Sequence, residues 1–139
     1  IAWGQTNRSA LIRIPRYTEG RGKSVRAELR NPDPACNIYL VLATMLAAGI
    51  DGIEKKMTAP SPVNDDIYEM SDAELADQGI RQLPGSLLEA LTNMQNSDLA
   101  RETLGEHTFE TYIREKTNEW NEFASHVSNW ERENYTDKY

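Results

Sequence analysis

Between Val25 and Arg30, the charged residues Arg26, Glu28 and Arg30 alternate with the apolar residues Val25, Ala27 and Leu29. If this stretch is a β-strand, its period of two sends the three charged side chains to one face and the apolar ones into the core. A carboxylate then lies between two guanidinium groups. Taken alone, the triplet reads first as a salt-bridge ladder on a solvated strand, which contributes little stability. The same residues also suit a site in which Glu28 offers oxygen to a divalent cation and the arginines take phosphate or carboxylate oxygens in forked pairs. Arg8, Arg13, Arg21 and Lys23 favour the site. So many cations on one hairpin repel one another unless an anion or a metal–phosphate complex sits among them. Arg8 and Arg13 differ in parity, so one regular strand would face them oppositely. Arg8 therefore belongs in the loop ahead of the strand, or at a bulge.

Charge is unevenly divided along the chain. Residues 1–30 hold seven Lys/Arg and two Asp/Glu, a balance of +5, whereas the remainder holds eight and twenty, a balance of −12. Nucleic-acid binding needs a broad basic footprint to displace counterions, so a compact anionic ligand fits better. At 139 residues the chain suits one domain with a modest core, and no apolar run approaches the length of a membrane span. It starts at Ile1 without an initiator Met or a signal-peptide pattern, so further sequence upstream is expected. The single cysteine, Cys36, cannot form an internal disulfide and reads as a small buried residue, in keeping with a reducing, cytoplasmic setting.

The elements that must position these residues begin with two short strands, Ala10–Ile14 and Val25–Leu29, antiparallel and joined by a turn-rich loop. A buried helix is expected over Tyr39–Ala48, apolar nearly all round, entered through Asn31-Pro32-Asp33-Pro34 with Asp33 as cap and closed by Gly49. Pro60 and Pro62 mark residues 58–66 as a surface loop. Ser71 and Glu74 have the spacing of a capping box for a short helix to Gln78, and Ser86 and Glu89 repeat it for a helix to Met94. Further helices are expected over Asp98–Leu104, ended by Gly105, and from Thr108 to about His126. Trp120, Phe123, Val127 and Trp130, followed by Tyr135 and Tyr139, form an aromatic stripe that packs on its own domain or on another subunit. The fold class is thus α+β: short antiparallel strands followed by a predominantly helical region.

Three ordered blocks carry a resemblance. NRSALIRIP at Asn7–Pro15, RAELRNPDPACNIYL at Arg26–Leu40 and AGIDGIE at Ala48–Glu54 resemble consecutive blocks of the glutamine synthetase family. LGEHTFETYI at Leu104–Ile113 and NWEREN at Asn129–Asn134 are similar to the bacterial and archaeal type I enzymes, notably their alpha branch. The resemblance implies that the chain is the C-terminal portion of the catalytic domain. In this division residues 1–33 are active-site strands and loop belonging to the family's catalytic sheet, and 34–139 are a helical region ending in inter-subunit helices. It implies ATP-dependent formation of glutamine from glutamate and ammonia through γ-glutamyl phosphate, with Mg2+ or Mn2+, in a cytoplasmic dodecamer of two stacked hexameric rings. Under it Glu28 is a metal ligand. Arg8 and Arg30 are catalytic and substrate-binding, holding glutamate and the transferring phosphoryl group, while Arg13, Lys23 and Arg26 bind the nucleotide.

Other features of that family are missing or altered here. Its remaining metal ligands precede residue 1, so the chain alone is expected to be inactive. His107 and His126 fall in the helical part and read as scaffold. Cys36 and Ile38 stand where the family more often has Ala and Pro. Tyr68 aligns with a tyrosine that the beta branch adenylylates, but DIYEMSDAE lacks that branch's double proline, so this modification is not expected. The same residues also suit a γ-glutamylpolyamine synthetase-type ligase on the same fold, or a non-catalytic relative used for binding or structure. Neither a nucleic-acid nor a membrane partner is expected.

Overall fold

The computed structural model describes residues 1–20, 22–136 and 138. Its contacts divide into two compact units, Ile1–Leu83 and Pro84–Tyr139.

The first unit is built on a small sheet of three two-residue strands, β1 (Trp3–Gly4), β2 (Ile12–Arg13) and β3 (Glu28–Leu29), in the order β1-β2-β3. β2 and β3 are antiparallel as expected, with Ile12 opposite Leu29 and Arg13 opposite Glu28. β1 runs parallel to β2 and was not legible, being only two residues long. The strands are shorter than the apolar runs suggest. Val25 and Ala27, expected in the core, are exposed, because ordered pairing starts only at Glu28.

The proline-marked loop lies over this sheet rather than standing away from it. The amide of Val63 donates to the Trp3 carbonyl (2.8 Å), and the Trp3 indole donates to the Pro60 carbonyl (2.7 Å). Gly4 permits the approach: a Cβ there would stand 2.6 Å from the Val63 carbonyl oxygen. Ala10, Leu75 and Ile80 are buried in this unit.

Helix α1 (Ile38–Glu54) corrects three expectations. Its cap is Asn37, whose side chain accepts from the amides of Tyr39 (3.1 Å) and Leu40 (3.3 Å), while Asp33 instead accepts from Ala35 in a turn before the helix. Gly49 does not end it: a mid-helix glycine costs only about 1 kcal/mol, and Ile50 and Ile53 continue the apolar pattern. The helix closes instead with a Schellman arrangement, in which Lys56 has φ 51°, Lys56 N–H donates to Ile53 and Met57 N–H donates to Gly52. It has no buried residue; Tyr39, Leu42, Leu46 and Ile53 are exposed. Helix α2 (Asp72–Asp77) carries the expected capping box between Ser71 and Glu74.

The second unit contains α3 (Leu87–Gln95), α4 (Asp98–Leu104), α5 (Glu106–Ser125) and α6 (Asn129–Tyr135). Leu91, Phe109 and Ile113 form its core, with Leu87, Met94, Ala100 and Leu104 packed around them. Gly105 ends α4 and starts α5 at φ 72° and ψ 152°, a backbone region essentially restricted to glycine. Ser86 caps α3, but Glu89 reaches Gly85 N–H (2.8 Å) instead of completing a box. The long helix breaks at His126, and a capping box between Ser128 and Glu131 starts α6. Phe123, Val127 and Trp130 are exposed, so the stripe is not packed away within the described chain; Tyr139 lies outside the described residues. No helix among the described residues is long and apolar enough to cross a membrane.

Candidate anion-binding site

Direct opposition of Arg13 and Glu28 across β2 and β3 puts both side chains on one face of the sheet. Arg13 Nη1 donates to Glu28 Oε2 at 3.1 Å, and Arg26 takes the other oxygen, its Nη2 lying 2.6 Å and its Nε 2.8 Å from Oε1. The carboxylate is therefore held between two guanidinium groups, but the pair is Arg13 and Arg26 rather than Arg26 and Arg30. The strand is too short for the alternation to carry through to Arg30. Partial desolvation of Glu28 raises its pKa, but the hydrogen bonds and charges of Arg13 and Arg26 outweigh this and hold the carboxyl below its ordinary value. It is ionised at neutral pH. Arg13 Nε is buried and finds no acceptor among the described residues.

Arg8 sits in the loop before β2, where the parity argument places it. The amide of Arg30 donates to the Leu11 carbonyl (3.0 Å), which extends the β2–β3 pairing by one bond and fixes where Arg30 leaves the sheet. Arg8 and Arg30 line one cavity of about 430 Å³, together with Ser9, Asn31, Tyr68 and Arg81. Arg81 had no local signal in the sequence, since it reaches the cavity through the turn after α2. Arg8, Arg30 and Arg81 bring three positive charges to a cavity whose lining is otherwise largely apolar, with no Asp or Glu among the described lining residues, a charge balance that favours an anion. Lys23 stays exposed in a short 3-10 turn (Gly22–Ser24), away from the cavity lining, and Arg21 lies outside the described residues.

The donor set for a metal is incomplete. Glu28 is one carboxylate with both oxygens engaged by arginines, and no cluster of three His, Cys, Asp or Glu suited to a metal ion occurs among the described residues. His107 and His126 are exposed in the second unit, and Cys36 is a half-buried free thiol. The described residues by themselves do not make a metal centre.

Residues 1–135 match the family described as glutamine synthetase, catalytic domain. A glutamine synthetase of Thermotoga maritima is 47% identical over 135 residues, covering 97% of this chain and 30% of that protein. One from Methanocaldococcus jannaschii is likewise 47% identical, over 97% of this chain and 29% of that protein. The structure of a GmaS/ADP complex superposes with a TM-score of 0.83 at 32% identity, covering 98% of this chain and 29% of the other. The chain thus spans about 30% of the length of the curated relatives it matches.

Proposed function

Because this chain belongs to the glutamine synthetase catalytic-domain family, we propose that it is the C-terminal portion of the catalytic domain of a glutamate–ammonia ligase and supplies its anion-clamping arginines. One observation carries the proposal: Arg8 and Arg30 line the same cavity, and Arg30 stands two residues along the chain from Glu28, the carboxylate that Arg13 and Arg26 hold. The reaction joins ammonia to glutamate at the expense of ATP, through γ-glutamyl phosphate. It crowds a carboxylate and several phosphoryl oxygens together, and such chemistry is accelerated mainly by positioning and charge neutralisation. Arg8 and Arg30 bind glutamate and the phosphoryl group in transfer. Arg13, Arg26 and Lys23 contact the nucleotide, and the leftover Arg13 Nε is a donor suited to a phosphate oxygen. Glu28 would give Mg2+ or Mn2+ one oxygen ligand in exchange for one of its arginine contacts, and the complete protein would have to supply the other donors.

The complete protein acts in the cytoplasm as a dodecamer of two stacked hexameric rings, with the exposed aromatic residues of α5 and α6 at the contact between rings. The 139 residues alone do not turn over substrate. In the complete protein, Glu28→Ala abolishes Mg2+- or Mn2+-dependent glutamine formation while leaving the protein folded. Unchanged activity together with unchanged metal affinity removes Glu28 from this role. A γ-glutamylpolyamine synthetase-type ligase on the same fold is the second reading, since it would share the phosphoryl-handling arginines and differ in the amine acceptor. Profiling ammonia against primary amines and polyamines as acceptors separates the two. A non-catalytic relative would show turnover with none of them.

A further inference from the structure

Arg8 is flanked on both sides by side chains that bolt its loop to another segment. Asn7 is buried, only 8% exposed, and is the one buried polar side chain among the described residues of the first unit. Its Oδ1 accepts from the backbone amide of Ser9 (2.8 Å) and from the Ser9 hydroxyl (2.5 Å), closing an Asx turn whose middle residue is Arg8. Its Nδ2 donates to the carbonyls of Asp65 (2.6 Å) and Val63 (3.3 Å). The Ser9 hydroxyl in turn accepts from the amide of Ile67 (2.9 Å). Both ends of the Arg8 turn are therefore fastened to residues 63–67, and the next residue, Tyr68, lines the same cavity as Arg8.

We infer that Asn7 is a positioning residue of this site: through its turn and its amide clamp it fixes the backbone from which the Arg8 guanidinium reaches the anion. The inference rests on the proposed role of Arg8. A buried amide whose oxygen and nitrogen are both engaged holds its loop to one geometry, because leaving either unsatisfied is costly. An exposed turn of this length would otherwise let a long arginine sample many placements, and a displacement of about 1 Å at a clamp costs about 100-fold in rate. Asp is the telling replacement. It is isosteric and keeps the oxygen that closes the Asx turn, but it sets a second oxygen against the Val63 and Asp65 carbonyls.

The test is a double-mutant cycle in the complete protein, with Asn7→Asp and Arg8→Ala singly and combined, read as kcat and KM for glutamate and for ATP. Asn7→Asp is expected to lower kcat/KM for glutamate by about 100-fold with little change in the KM for ATP. In the Arg8→Ala background it is expected to change kcat/KM less than about twofold, since coupled residues are not additive. If the losses simply multiply, or if Asn7→Asp is as active as the parent, Asn7 does not act through Arg8 and the inference is overturned. If Arg8→Ala itself is fully active, the reading of the site fails first, and the inference falls with it. Should Asn7→Asp not fold, Ser9→Ala, which removes only the hydroxyl between Asn7 and Ile67, takes its place in the same cycle with the same outcomes.

Discussion

Arg13 and Arg26 both bind Glu28, yet their contributions differ in kind. Arg13 is the direct cross-strand partner and both its side chain and that of Glu28 are about 70% shielded, whereas the Arg26 side chain is 53% exposed. Water screens the more exposed pair, so it contributes less than the cross-strand pair on the half-buried face. Arg13→Ala is therefore expected to lower the Tm more than Arg26→Ala does, as read by thermal unfolding. Equal losses would show that strand opposition confers no advantage. The contact of Arg26 with Glu28 was legible in residue types and spacing, and so was the placement of Arg8 outside the strand. The identity of Glu28's second partner was not. Alternation in the sequence names neighbours two residues away, but the partner across the sheet depends on register, and register is fixed by contacts that no single strand contains.

At the scale of elements, helices were read best where their ends carry chemical markers. Ser71 with Glu74, Ser86, and Gly105 each stand at the boundary their residue types indicate. Asn37 is hard to read as the cap because Asp33 and two prolines give a stronger signal four residues earlier, and the short β1 has no pattern to detect. The capping boxes also make the fold sensitive to acid. Hydrogen bonds from the side chain and backbone of Ser71 lower the pKa of Glu74, and those from the backbone and side chain of Ser128 lower that of Glu131. A carboxyl depressed in the folded state stabilises above its unfolded pKa and loses that contribution as pH falls through the folded value. Stability is thus expected to decline below about pH 4.3, the ordinary glutamate value. In Glu74→Gln, which keeps an acceptor at the cap but cannot titrate, the decline should be shallower. Identical pH profiles in urea denaturation would contradict this. Gly105 makes a separate demand: at its backbone angles Gly105→Ala should cost about 1–3 kcal/mol, seen as a lowered Tm, and an unchanged Tm would show that the α4–α5 corner relaxes freely.

Across the whole molecule, the apolar face of α1 and the aromatic residues of α5 and α6 stand exposed in a chain spanning about 30% of its relatives' length. The expectation of a buried α1 came from its composition, which reports what a helix requires and not which polypeptide supplies the cover. The proposed site has the same character, since the described residues hold cationic groups and one carboxylate but no complete metal-binding set. The central claim is that the cavity lined by Arg8 and Arg30 binds the reacting anions. It is tested most directly by measuring glutamine formation in the complete protein with Arg30→Ala beside Arg16→Ala, a control at an exposed arginine outside the cavity lining. Loss of about 100-fold or more in kcat/KM for Arg30→Ala, with Arg16→Ala unaffected, is the predicted result. Full activity in Arg30→Ala, or equal losses in both, would contradict it.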